Sequence, residues 1–128
     1  MRYLCLIYGT DAQTSHFSAQ DMDRYIHEHV DYDAHLQALG KLVVSEALQP
    51  ASTAVTVRMR NHKLSVTDGP FAETSEQLGG FYFVEADSEE EALQLAAGIP
   101  SARFSSIEVR KASSAGDSGN RGSQGAGP

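Results

Sequence analysis

The chain has 128 residues, 41% of them apolar, 21% charged and 8% aromatic, with 10 basic against 17 acidic side chains, which suits one small globular domain. A net charge of −7 with Lys and Arg scattered along the chain argues against direct contact with nucleic acid. No apolar run approaches the roughly 18 residues of a membrane-spanning helix, and the first ten residues read as a strand rather than a secretory signal. The expectation is a soluble, cytoplasmic protein with no membrane partner. Cys5 stands alone, which excludes an intrachain disulfide and any Cys-rich metal site.

In chain order, the unbroken apolar run Arg2 to Tyr8 predicts a strand buried on both faces, with Tyr3, Cys5 and Ile7 on one side and Leu4, Leu6 and Tyr8 on the other. Ser18 is placed to cap a helix, and Asp21 at its third position suits the positive end of the dipole. That helix should run to about Leu39, with an apolar stripe of Met22, Ile26, His29, Leu36 and Leu39 flanked by Tyr25 and Tyr32, and Gly40 as its stop. A second strand opens at Leu42 and ends by Pro50. Ala54 to Arg60 and Lys63 to Thr67 then pair as a hairpin across Asn61-His62, with Val55, Val57 and Met59 on one face. Phe81 to Ala86 reopens the sheet after Gly79 and Gly80. Ser88 caps a second helix whose first turn holds Glu89, Glu90 and Glu91, and Arg103 to Arg110 forms the last strand. Ala112 to Pro128 is Gly- and Ser-rich without a bulky apolar side chain, so it is expected to be a flexible tail, with the domain spanning residues 1–111.

Without the hairpin the order is βαββαβ, a ferredoxin-like α+β arrangement with both helices on one face of an antiparallel sheet. Strands apolar on both faces then need a cover for the second face. A two-fold homodimer through the sheet, a dimeric α/β-barrel type of assembly, supplies it. The competing account is a monomer whose own hairpin and tail fold across that face.

The segment Val66-Thr67-Asp68-Gly69-Pro70-Phe71-Ala72-Glu73-Thr74-Ser75-Glu76-Gln77-Leu78-Gly79-Gly80-Phe81 resembles the signature of the DGPF proteins, a branch of the YCII-related family. Gly40-Lys41-Leu42, Leu48-Gln49-Pro50, Glu91-Ala92-Leu93, Ile99-Pro100 and Ile107-Glu108-Val109-Arg110 support the resemblance, which covers nearly all of residues 1–111. It implies the same dimeric ferredoxin-like fold and supplies no settled activity. As a local structure the signature is a strand exit: Gly69 takes unusual backbone angles, Pro70 stiffens the turn, Asp68 accepts backbone N–H bonds and Phe71 anchors the loop. Asp68, Glu73 and Glu76 could hold a cation, bind an amine or face solvent. The family usually carries a lysine at the position of Ser75, so a role for that lysine toward an anion is in doubt here.

His29 and Asp33 lie four residues apart and share the apolar face of the first helix. An imidazole held by a carboxylate can act as a general base near neutral pH, the carboxylate fixing its tautomer. The alternative is a half-buried histidine bonded into the fold or to the second subunit. By the resemblance, His29 also stands where relatives carry a helix histidine proposed as catalytic. Those relatives pair it with an aspartate before a proline, a position held here by Ile99, so Asp33, Asp68 or Glu76 would have to substitute. His27, His29 and Asp31 do not share a helix face, and no phosphate loop, nucleophile elbow or dinucleotide fingerprint is present, so neither a metal nor a cofactor is expected.

Three functions follow, the third being a dimeric structural module without a ligand. The first is a small-molecule binder or cofactor-independent isomerase or lyase in which His29 moves a proton, Asp33 orients it, and Asp68, Tyr25, Tyr32, Phe71 and Glu76 position the ligand. The second is an accessory protein linked to an extracytoplasmic-function sigma factor. It is suggested by the gene neighbourhood of DGPF proteins, with the hairpin and the acidic loop as docking surfaces for a basic partner.

Overall fold

The computed structural model describes residues 1–113, so the part of the expected tail from residue 114 on lies outside the described residues. Six strands and two helices run β1 (Arg2–Gly9), α1 (Ala19–Ala38), β2 (Leu42–Ala47), β3 (Val55–Arg60), β4 (Lys63–Asp68), β5 (Gln77–Glu85), α2 (Glu89–Ala97) and β6 (Ser106–Lys111). The main sheet has the order β2-β5-β1-β6, with every pairing antiparallel, and β3 and β4 form a separate two-stranded sheet. With the hairpin set aside, the central β5-β1 pair flanked by β2 and β6 is the βαββαβ order read from the sequence.

Local chemistry sets the element ends. The Ser18 side chain accepts from the Asp21 backbone N–H while the Asp21 carboxylate accepts from the Ser18 N–H, closing a capping box on α1. Gly40 at φ +70° stops the same helix. Ser88 caps α2 by accepting from the Glu91 N–H.

The face of the sheet carrying Tyr3, Cys5, Tyr82 and Val84 is buried beneath Leu36 of α1 and Ala92 and Ala96 of α2. Burial pushes the Cys5 thiol up to about 11, which leaves it an unreactive part of the core. The inner face of α1 differs from the expected stripe. It runs through Met22, Tyr25, His29, Tyr32, Asp33 and Leu36, whereas Ile26 and Leu39 are each 53% exposed. At about 100° per residue, Ile26 and Leu39 lie on opposite sides of the line that Tyr25, His29 and Leu36 follow. Aromatic and polar side chains therefore occupy the place expected for aliphatic ones.

Two strand boundaries also moved. β5 begins at Gln77 rather than Phe81, so both glycines lie inside it, and a Cβ on Gly80 would come within 2.8 Å of the Glu46 carbonyl oxygen on the neighbouring strand. β6 begins at Ser106, because Pro100–Arg103 forms a 3-10 turn in which Arg103 makes two bonds, 2.8 and 3.3 Å, to the Glu28 carboxylate. The other face of the sheet carries Leu4, Leu6, Phe81 and Phe83, none fully buried within one chain.

The hairpin turns at Asn61 and His62, both at positive φ (51° and 64°), as a two-residue turn of this hand requires. Val57 pairs with Val66 and Met59 with Leu64 across it. At its base the Gly69 N–H donates to the Ala54 carbonyl and the Thr56 hydroxyl to the Gly69 carbonyl, and Gly69 takes φ +101°. Phe71 is 80% exposed, which corrects the expectation that it anchors the loop: the chain leaves the hairpin along the surface, with no core beneath this ring.

Candidate functional site

A cavity of about 570 Å³ lies between α1, the sheet and the segment following β2. Met22, Tyr25, His29 and Asp33 of α1 form one wall, with Ile7, Gly80 and Tyr82 from the sheet behind them. Ser45, Leu48 and Pro50 close the β2 side, and Gln13, Ser101 and Phe104 the opposite end. The Gln13 side chain donates to the Phe104 carbonyl and accepts from the Thr10 N–H at 3.0 Å, which ties the end of β1 to the turn before β6. Phe104 packs against Tyr25 with ring centroids 5.5 Å apart, so one cavity wall is aromatic.

His29 Nδ1 lies 3.0 Å from the Tyr82 hydroxyl, and Tyr25 meets the imidazole edge-on with centroids 4.8 Å apart. No protein group among the described residues bonds His29 Nε2. Asp33 does not bond His29 directly: its Oδ2 accepts from the Ser45 hydroxyl at 2.8 Å, while the carboxylate lies beside the Tyr82 hydroxyl. Burial first, and then the adjacent Asp33, hold the Tyr82 phenol well above its ordinary pKa. Burial likewise holds the His29 imidazole below its ordinary value, against the opposing pull of Asp33 and Glu28. That shift favours the neutral ring, the form a proton acceptor must take.

Two buried side-chain oxygens among the described residues lack a hydrogen-bond partner, Asp33 Oδ1 and Ser101 Oγ, and both residues line this cavity. Buried acceptors are rarely left unpaired, because each costs on the order of 1–3 kcal/mol, so the pair marks a place where water or a ligand supplies the missing bonds. Among the described residues no Lys or Arg lines the cavity, while Asp11, Asp33 and Glu46 do.

His29, Asp33 and Tyr25 thus come together in one site. Tyr32 stands apart from it: its hydroxyl donates to the Leu95 carbonyl at 2.6 Å, and its ring covers Gly98, where a Cβ would lie 2.5 Å from that hydroxyl. Tyr32 seats α1 on α2. Asp68, Phe71 and Glu76 are not among the residues lining the cavity. Tyr82 and Ser45 were not singled out from the sequence. The available signal was a tyrosine among Phe and Val on an inward strand face, since a buried phenol needs a partner for its hydroxyl.

The sequence model of the YCII-related domain matches residues 1–113. An uncharacterized protein of Rhizobium meliloti (strain 1021) is 37% identical over 112 residues, which cover 86% of this chain and 90% of that protein. Among solved structures, the 5-chloro-2-hydroxyhydroquinone dehydrochlorinase TftG from Burkholderia phenoliruptrix AC1100, in complex with 2,5-dihydroxybenzoquinone, superposes with a TM-score of 0.53 at 17% identity. That superposition covers 88% of this chain and 94% of TftG, a likeness of fold. With a family match spanning every described residue, the chain belongs to the YCII-related family.

Proposed function

We propose that this protein binds an uncharged small ring compound in the cavity beside α1 and moves a proton on it without a cofactor, as an isomerase or lyase. The observation that carries the reading is the convergence on one cavity of a neutral, half-buried imidazole and two buried oxygens that lack partners, Asp33 Oδ1 and Ser101 Oγ. TftG, whose fold is similar, is a dehydrochlorinase that holds a ring ligand.

The chemistry follows from the hydrogen-bond order. The phenol oxygen of Tyr82 accepts from His29 Nδ1–H and Nε2 keeps its lone pair, while Asp33 Oδ1, beside the phenol, stays open to the ligand. Nε2 then takes a proton from a ring carbon. The electron pair of the broken C–H bond forms a ring double bond; in a lyase the leaving group departs as an anion with its bonding pair and the proton passes to it or to water, and in an isomerase an existing ring double bond shifts and its far carbon takes the proton back. Apolar walls, with Asp11, Asp33 and Glu46 as the charged side chains lining the cavity among the described residues, favour a ligand without a carboxylate.

The reading includes a homodimer through the face carrying Leu4, Leu6, Phe81 and Phe83, which a second copy would cover. The accessory role beside a sigma factor ranks second. The hairpin suggested for a basic partner is itself basic, with Arg58, Arg60 and Lys63 and no carboxylate before Asp68.

A binding comparison of hydroquinone with 2,5-dihydroxybenzoate tests the ligand class. We expect the uncharged ring to bind at least tenfold more tightly, and tighter binding of the carboxylate would contradict the reading. With a substrate in hand, His29→Ala should cost about 10²–10⁴ in turnover, the usual contribution of a general base, while the fold is kept. Undiminished turnover would remove His29 from the chemistry.

A further inference from the structure

We infer that the β3–β4 hairpin is an arm that docks on a second copy of this chain. Val55, Val57, Met59, Leu64 and Val66 are each 57–62% exposed, and the register places the Val57–Val66 and Met59–Leu64 pairs side by side. A two-stranded hairpin is marginal in water by itself, and among the described residues the hydrogen bonds of Val55–Asp68 run only within the hairpin and to Gly69 at its base. Six residues per strand make an arm about 20 Å long. At about 100 Å² each, the five side chains present roughly 500 Å² of apolar surface, at or above the size of patch that marks an interaction site on a soluble protein. Two such arms in a two-fold pair, with the surface they cover, reach the 1,200–2,000 Å² of a stable interface.

Charge selects the occupant. Residues 55–67 carry +3 from Arg58, Arg60 and Lys63 and no carboxylate, so the rest of the chain holds −10 of the total of −7. None of those three cations forms an ion pair among the described residues. Strand alternation sets these three cations on the face opposite the Val57–Val66 and Met59–Leu64 pairs, so an arm laid into the acidic body of its twin meets it through both faces, and the pairing is reciprocal, as a two-fold axis requires. The arm is a second contact, separate from the open face of the sheet.

Sedimentation of the full-length protein at micromolar concentration, in low and high salt, reads the proposal. The expected result is a dimer whose dissociation constant rises at least tenfold in Val57→Thr/Val66→Thr, which keeps β-branching and charge, and again in Arg58→Glu/Arg60→Glu/Lys63→Glu. Far-UV circular dichroism and the melting temperature of each variant confirm that the domain is intact. A monomeric wild type would overturn the inference, whether the arm folds back on its own body or serves another protein. So would a dimer that both variants leave unchanged while Phe83→Asp on the open face dissolves it.

Discussion

Replacing Tyr82 with Phe removes one buried oxygen and nothing else, which makes it the sharpest probe of the Tyr82–His29 relay. The wild-type hydroxyl lies 3.0 Å from His29 Nδ1 on a side chain only 3% exposed. Its loss forfeits one net hydrogen bond and leaves a buried Nδ1 without a partner, together about 1–3 kcal/mol. For a domain of this size, each kcal/mol is worth about 4 °C in melting temperature, so a fall of roughly 4–12 °C is expected. The second readout is the imidazole tautomer, followed by long-range proton–nitrogen NMR. Wild type should hold the proton on Nδ1 and leave Nε2 free, while Tyr82→Phe should lose that preference. An unchanged melting temperature together with an unchanged tautomer would refute the relay, because the hydroxyl would then be holding nothing.

Asp33→Asn should lower the His29 pKa further, since the Asp33 charge is the main influence raising it, and a chemical-shift titration reads the change directly. The folded state favours neutral His29, so the unfolded chain takes up the proton first. The stability this histidine contributes is therefore present above its unfolded pKa of about 6.5 and lost as the pH falls from that value through the lower folded pKa. The difference in unfolding free energy between wild type and His29→Asn should shrink between pH 7.5 and about 5.5, and a flat difference would contradict the assignment. Gly80→Ala places a methyl group 2.8 Å from the Glu46 carbonyl oxygen, and β2 must shift to admit it. Chemical denaturation should show a loss of about 1–3 kcal/mol, as for overpacking elsewhere. Ser18→Ala should cost about 1 kcal/mol by opening the capping box of α1.

Local signals in the sequence carried most of the fold. Ser18 with Asp21, Gly40, Ser88 and the Asn61-His62 turn each act within a few residues, and each stands where its chemistry required. The inward set Tyr3, Cys5 and Ile7 was legible from strand alternation alone. What was not legible depends on register between distant segments. His29 meets Tyr82 across 53 residues and Ser45 meets Asp33 from a neighbouring strand, and neither contact leaves a trace in spacing along one helix. Helix periodicity did place His29 and Asp33 on one face, but it could not show that a phenol lies between them. It also favoured Ile26 and Leu39 for the core over the less apolar Tyr25 and Asp33, because hydropathy ranks side chains by type and the cavity recruits them by chemistry. The Asp68–Glu76 segment was the most recognisable stretch of sequence, yet its acidic residues and Phe71 do not line the cavity.

We place the ligand of this protein in the crevice beside α1, with His29 at the point of contact. The decisive experiment is a titration with hydroquinone that follows the imidazole nitrogens of His29 and the ring protons of Tyr25 and Tyr82. Saturable shifts are expected at these three side chains, with the largest at His29 Nε2. Saturable binding that leaves His29 unmoved and perturbs only the Asp68–Glu76 loop would contradict that placement.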